Sequence, residues 1–391
     1  MISKPRDTLL SLAAAAALLL APLSAAAFET AARSALVVDH ATGTVLLEKD
    51  ADVPLPPASM SKLMTLFMVF EALEAGRLSL DERLPVSQQA QQMGGSTMFL
   101  DTTDKVRVED LILGVIVQSG NDACVVLAER LAGTETAFAQ QMNVRARELG
   151  MLDSTFANST GWPHPDHRMS ARDLVRLSTL LIERFPQYYE YFSVREYDFD
   201  GRAPSNRYNR NPLLNLDLGA DGLKTGHTEE AGYGLVGSAV QNGRRVTMVV
   251  TGLGSSQERV AESERLLTWA FREFTSRELF RAGETIATAD VWIGAAGQVP
   301  LVAADAVTAV VPWAEKDNIT TWVEYSGPIE APIEKGQPVA ELVVTVPGVG
   351  ETRHALQAAE GVGRGGFMSK LQATAQVLMG RAMTAALGAG G

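Results

Sequence analysis

Cysteine is nearly absent: the 391 residues hold one, Cys124, so no intrachain disulfide can form and the fold rests on its core. That lone thiol reads first as a small buried apolar residue and only then as a reactive group. Positive charge is also scarce. The chain has 34 lysines and arginines against 46 aspartates and glutamates, a formal net charge of −12, and such acidity argues against nucleic acid as a partner. No apolar run in the body of the chain reads as a transmembrane signalling segment. No cluster with metal-ligand spacing stands out either. His164 and His167 share a loop with Pro163, Pro165 and Asp166 but lack a further ligand set, and no inorganic cofactor is implied. Length and a 46% hydrophobic composition allow two domains and a sizeable core.

What is present begins with a leader. Lys4 and Arg6 precede an alanine- and leucine-rich stretch at 9–21, then Pro22 and a small-residue run ending Ala25-Ala26-Ala27. This pattern predicts a secretory signal peptide over 1–27, cut after Ala27, and hence export. Next, apolar runs at 35–38 and 45–47 flank Asp39-His40-Ala41-Thr42-Gly43, which predicts two strands around a tight turn in which His40 needs no chemical role.

Ala58-Ser59-Met60-Ser61-Lys62-Leu63-Met64-Thr65 sets a hydroxyl and an amine three residues apart at the head of a helix-patterned run. Positions i and i+3 share a helix face, so Ser59 Oγ and Lys62 Nζ can meet. Pro56 and Pro57 ahead of the run predict a helix N-terminus, whose unpaired N–H groups suit a nucleophile and a developing oxyanion. Alone the string says little, because Ser-x-x-Lys arises by chance roughly once in a chain this long. The segment 87–97, with Gly94-Gly95 and many glutamines, predicts a mobile loop near the site.

Helical periodicity returns over 108–133, broken by Ser119-Gly120-Asn121. By itself this break is explained by an ordinary N-cap, with Ser119 or Asn121 satisfying backbone donors. Helical patterning continues over 138–149 and, after the loop Asn158-Ser159-Thr160-Gly161-Trp162, over 171–185. A third string, Asp221-Gly222-Leu223-Lys224-Thr225-Gly226-His227-Thr228, opens strand-like runs at 233–239 and 246–253. There the glycine admits a substrate backbone while the Lys224 and Thr225 side chains hold a carboxylate.

Each string is weak and their ordered combination is strong. It is the set found in penicillin-binding proteins and class A β-lactamases, with Gly120 where that set has aspartate. More specifically, the chain resembles the D-alanyl-D-alanine carboxypeptidases, low-molecular-weight penicillin-binding proteins of the 5 and 6 type. The resemblance rests on Pro57-Ala58-Ser59 through Thr65, Gln118-Ser119-Gly120-Asn121-Asp122-Ala123-Cys124, residues 221–228, and Ala261-Glu262-Ser263 with Leu266-Leu267-Thr268-Trp269. Two departures are visible: Met60-Ser61 replaces the usual Leu-Thr, and the segment 87–97 lacks an expected tryptophan.

The resemblance implies an α/β (α+β) fold of the penicillin-binding and β-lactamase type, an antiparallel sheet flanked by helices with a helical subdomain. It implies a serine DD-peptidase domain over 28–275, a small all-β domain over 276–360 and an amphipathic membrane-surface tail over 366–391. It implies Ser59 as nucleophile, Lys62 as base with Lys224 the neighbouring cation that keeps its amine partly neutral, Ser119 as proton relay and Asn121 as orienting amide. Lys224, Thr225 and Arg259 face the substrate carboxylate, Gly226 lets the substrate backbone approach the strand, and the N–H groups of Ser59 and His227 form the oxyanion hole. For Arg259 alone, a solvated arginine at a helix start is an equally good reading. Peptidoglycan stem peptides are the implied substrate, β-lactams the covalent inhibitors, and the periplasmic face of the inner membrane the implied location.

Three alternatives share the motifs: a class A β-lactamase, an endopeptidase on peptide cross-links, and a non-enzymatic penicillin sensor. Against the first, no Glu-x-x-Leu-Asn string lies between Asn121 and Lys224, so the glutamate that would hold a deacylating water is missing. Beyond residue 274, β-branched runs at 288–294, 306–311, 320–325 and 339–346 predict the small β domain, a spacer or interaction module with Trp292, Trp313 and Trp322 in its core. Past a glycine-rich hinge at 361–366, a helical wheel gathers Phe367, Leu371, Leu378, Ala382 and Ala385, and sets Lys370 and Arg381 apart. With Arg364 these cations suit anionic headgroups.

Overall fold

The computed structural model describes residues 28–366; the leader and the tail helix inferred from the sequence lie outside them. Five antiparallel strands make the first sheet. Ser34–Asp39 (β1) is buried along its whole length and pairs with Val45–Lys49 (β2) through a turn closed by Asp39, whose Oδ1 accepts from Thr42 N at 3.1 Å and Thr42 Oγ1 at 2.9 Å. Ala220–Thr228 (β3), Gly232–Gln241 (β4) and Arg244–Leu253 (β5) form a meander, and β1 pairs with β5, giving the order β2-β1-β5-β4-β3. The lysine-threonine-glycine string thus lies on an edge strand.

The sheet is covered on both faces because its strands are apolar at successive positions. Leu36, Val38, Val236 and Val249 join the large core that holds Lys62–Glu74 (α1), Asn121–Ala132 (α2), Glu135–Glu148 (α3) and Ala171–Arg184 (α4). The alternate residues Ala35, Val37, Leu235 and Val250 are equally buried and face the other way, where Ser256–Glu273 (α5) packs. Within the helical layer Phe185 wedges between Phe67 and Phe70, edge-on at 5.3 Å and 5.8 Å.

Two connections differ from the sequence reading. The segment 87–97 is built rather than loose: Ser87 Oγ caps the short helix Gln88–Gln91 by accepting from Ala90 N at 3.0 Å, and it donates to Glu129 Oε1 at 2.8 Å. The helix Val108–Leu113 does not stop at a simple cap either. It widens into a π-turn over Gly114–Gln118 and ends at Ser119 in the left-handed region, φ 59°, with no side-chain cap at Gly120. Packing selects this end, since a Cβ on Gly114 would come within 2.0 Å of the buried Met98 Sδ.

Helix α5 runs directly into the strand Phe274–Phe280, which pairs with Val307–Pro312. A six-stranded sheet follows, including three strands the sequence reading did not single out, Gln298–Ala303, Ile329–Glu330 and Gly350–Ala358. Its core is Val299, Leu301, Leu342, Val344 and Leu356. The tryptophans are not in it as expected: Trp313 is 58% and Trp322 41% exposed, and Trp292 is only partly buried. Small aliphatic residues already fill the space, Trp322 stands on Thr320–Glu324 at the sheet edge with Nε1 on Glu324 Oε1 at 2.8 Å, and the Lys316 ammonium covers the Trp313 ring at 4.6 Å.

Phe185→Ala is expected to cost about 3–5 kcal/mol, because it removes one ring from an interlocked set. A urea unfolding midpoint unchanged from wild type would show that the helical layer does not depend on it.

Candidate active site

Close backbone packing presents Ser59. Ala58 has φ 47° and opens the 3-10 turn Ala58–Ser61 that leads into α1. Three glycines make room for this turn. A Cβ on Gly161 would meet Ala58 O at 1.9 Å, one on Gly226 would meet Pro57 O at 2.8 Å, and one on Gly234 would meet Met60 Cε at 2.7 Å. Gly226 and Gly234 face each other across β3 and β4. The space at Gly226 thus goes to the nucleophile segment, where the sequence reading assigned it to a substrate backbone. Met60, one of the two departures from the usual motif, fills it with a flexible thioether.

Lys62 is completely buried, and its amine reaches Ser59 Oγ at 2.9 Å, Asn121 Oδ1 at 2.7 Å and the Thr160 carbonyl at 2.6 Å. Burial draws its pKa down to about 8, and the Arg210 charge pushes the same way. Lys224, equally enclosed, is lowered well below the usual range by burial first and then by Lys62, Arg210 and Arg259. The sequence reading had Lys224 as the cation that unloads Lys62. The structure adds a further cation, because the Arg210 charge bears on both amines, and the Lys62 and Lys224 charges oppose one another. Repulsion between two amines is mutual, so the pair carries less charge than two separate lysines.

Ser119 and Asn121 point at these lysines rather than at the helix end. Lys224 Nζ donates to Ser119 Oγ at 3.0 Å. Asn121 accepts from Lys62 and donates Nδ2 to Gly94 O at 2.8 Å, while its backbone N–H reaches Ser96 O at 2.7 Å. Asp122 pins the segment 98–100 by accepting from Met98 N at 2.9 Å and Leu100 N at 3.1 Å. Cys124 is fully buried and burial pushes its thiol up to about 12, so it stays protonated.

Thr225 and Gly226 are buried beside Lys224, whereas His227 is exposed and stacks on Tyr233 at 3.9 Å. Arg259, near the start of α5, is buried rather than solvated, which removes the alternative of a surface arginine. Its Nη2 lies 3.4 Å from Ser256 Oγ and its Nε has no partner. Burial lowers its pKa. The histidines of the 158–169 region have no shared ligand role. His167 accepts from Ala157 N at Nδ1 and so donates from Nε2 to Ser61 Oγ at 2.7 Å, and burial draws it down to about 4. His164 lies 3.8 Å from Asp166 near the surface. Among the described residues no three His, Cys, Asp or Glu side chains gather as a metal site.

Three contributors escaped the sequence reading. The Thr160 carbonyl is set by Asn158, whose Oδ1 accepts from Thr160 N, Gly161 N and Trp162 N at 2.8–3.1 Å; the Asn-x-Thr-Gly string is the turn signal that marks it in the sequence. Trp162 leans on the glycine pair, since a Cβ on Gly95 would lie 2.9 Å from its ring and 3.1 Å from Asn121 Nδ2. A tryptophan therefore does pack on the 87–97 segment, supplied by a different loop. Arg210 donates to Ser96 Oγ at 2.7 Å and Gln118 O at 3.2 Å, and its neighbourhood in sequence carries no distinguishing pattern.

Residues 21–255 match the family model described as D-alanyl-D-alanine carboxypeptidase, and residues 274–364 match the C-terminal domain of penicillin-binding protein 5. The D-alanyl-D-alanine carboxypeptidase DacC of Escherichia coli is 37% identical over 90% of this chain and 91% of its own length. The crystal structure of penicillin-binding protein 5 from Haemophilus influenzae superposes with a TM-score of 0.79 at 31% identity, covering 86% of this chain and 99% of that one. Penicillin-binding protein D2 of Listeria monocytogenes, in its ampicillin-bound form, aligns at 33% identity and a TM-score of 0.57 over 63% of this chain and 99% of that one. With Ser59 and Asn121 bonded to Lys62, Ser119 bonded to Lys224 and the match spanning both sheets, the chain belongs to the D-alanyl-D-alanine carboxypeptidase family.

Proposed function

We propose that the chain is a serine carboxypeptidase that removes the terminal D-alanine from peptidoglycan pentapeptide stems through an acyl-enzyme on Ser59. The observation that carries this reading is the threefold bonding of a buried lysine to Ser59, Asn121 and Thr160. An ammonium has three protons and spends them on those three acceptors. Once the amine is neutral, two N–H bonds stay with the carbonyl oxygens of Asn121 and Thr160, and the lone pair faces Ser59 Oγ. A base of this geometry needs no histidine or carboxylate.

The chemistry then runs in two halves. Ser59 Oγ attacks the carbonyl between the two D-alanines as Lys62 takes its proton, and the N–H groups of Ser59 and His227 hold the oxyanion. The C–N bond breaks as Ser119 relays to the leaving amine the proton that Lys62 took from Ser59, and D-alanine departs. Water then attacks the ester, releasing the shortened stem and restoring Ser59. The position of β3 at the sheet edge supports this reading, because an extended peptide can lie along it with its carboxylate toward Lys224, Thr225 and Arg259. β-Lactams imitate the same terminus and acylate Ser59, in keeping with the ampicillin-bound relative.

The layout read from the sequence belongs to the same proposal: leader 1–27, peptidase domain 28–275, β domain 276–360 and tail 366–391, with the enzyme exported and held peripherally at the inner membrane. Among the described residues no helix is long and apolar enough to cross a membrane.

Four outcomes test the reading. Incubated with a diacyl-L-Lys-D-Ala-D-Ala peptide, the chain should release one D-alanine and take up labelled penicillin, and Ser59→Ala should do neither; penicillin uptake without D-alanine release would turn the assignment to an endopeptidase or a sensor. Because Lys62 must be neutral to act and its pKa is drawn down to about 8, kcat/KM should rise with pH to a bend near 8 and fall about tenfold per unit below it. Lys62→Arg, which cannot lose its proton, should drop activity by at least ~10³; a pH-independent rate, or near-wild-type activity in this variant, would exclude Lys62 as base. Removal of residues 366–391 should free the protein from membranes, and equal partition of full-length and truncated chains would end the anchor reading.

A further inference from the structure

One aromatic ring outside the three motifs touches two of the residues assigned to the substrate. Tyr233 stands opposite His227 in the β3–β4 ladder. Its ring stacks on the His227 imidazole, with centroids 3.9 Å apart and planes 29° from parallel. The same ring has the Arg259 guanidinium carbon 5.7 Å from its centroid, within the range of a cation–π contact.

Arg259 has few other restraints. Among the described residues it forms no ion pair, its Nη2 contact to Ser256 Oγ is a long 3.4 Å, and its buried Nε has no partner. A guanidinium held this far from water needs either a counter-ion or a polarisable face. The structure supplies the face and leaves donors free for an incoming carboxylate. Local backbone geometry fixes the ring in turn. Gly232 before it has φ 68° and sits against Leu253 O, while Gly234 after it gives way to Met60, so Tyr233 is held between two glycines that each have a steric reason to be there.

We propose that Tyr233 is a positioning residue for the reaction. Its ring, itself stacked on His227, sets the plane of the Arg259 guanidinium, so that the carboxylate pocket is prepared before the substrate arrives. The face of the ring does this and the hydroxyl is dispensable. The inference rests on the reading of Arg259 as the carboxylate contact, and the test separates the two.

The purified chain and its variants are assayed for kcat/KM on a diacyl-L-Lys-D-Ala-D-Ala peptide and on the same peptide ending in a carboxamide, whose hydrolysis releases D-alaninamide. Arg259→Ala should lose activity on the carboxylate and little on the amide. Tyr233→Leu should follow it, losing about tenfold on the carboxylate only, and the double variant should be scarcely worse than Arg259→Ala alone. Tyr233→Phe should keep the carboxylate preference. Should the leucine variant not fold, Tyr233→Val, with a side chain suited to a strand, carries the same comparison. If Arg259→Ala discriminates but the Tyr233 variants lower both substrates alike, or Phe fares no better than Leu, Tyr233 does not position Arg259. If Arg259→Ala itself acts equally on both peptides, the carboxylate reading falls and the inference with it.

Discussion

An amine with no contact to solvent is the constraint to which the rest of this site answers. Burying Lys62 as a cation costs several kcal/mol unless its protons are all taken, and they are, by Ser59, Asn121 and Thr160. Each acceptor needs its own support. Asn121 is tied through Gly94 and Ser96, and Thr160 through Asn158 and through its neighbour Ser159, which donates from Oγ to Glu135 Oε1 at 2.7 Å. The lysine thus fixes the relative positions of α1, the head of α2 and the 158–162 loop. Its proton affinity follows from the same enclosure, so one packing arrangement serves both the geometry and the chemistry.

Close approach is the second theme. Gly161, Gly226 and Gly234 all sit where a methyl group would strike the segment around Ser59. These contacts bring an edge strand and a loop against the Ser59 turn at backbone distance, closer than any side chain permits. The strained Ala58, at φ 47°, persists because it is boxed in from two sides.

Much of this could be read from the sequence because the informative groups are side chains set at fixed offsets. A serine and a lysine at i and i+3 must share a helix face, and Ser119-Gly120-Asn121 must break a helix whatever it contacts. The first sheet, its covering helices and the small β domain follow similarly from periodicity. What could not be read depends on long-range placement. The carbonyls of Thr160 and Gly94 have no side-chain signature, and the roles of Arg210 and Tyr233 arise only when distant segments meet. Gly350–Ala358 is a strand with three charged residues or histidine in its first half, Glu351, Arg353 and His354, made regular by its neighbours rather than by its own propensity. The tryptophans of that domain were assigned inside by size, but a core already filled with valine and leucine had no volume left for them.

The three acceptors around Lys62 come from residues 59, 121 and 160, a spread of about a hundred positions along the chain. In an unfolded or half-folded polypeptide, the lysine is an ordinary solvated ammonium and Ser59 an ordinary alcohol. Reactivity is therefore not a property that any segment carries with it. It comes into being with the last closure of the helical layer on the sheet, so the chain is chemically silent until the whole domain has formed, and every molecule able to acylate is one that has passed its own structural inspection.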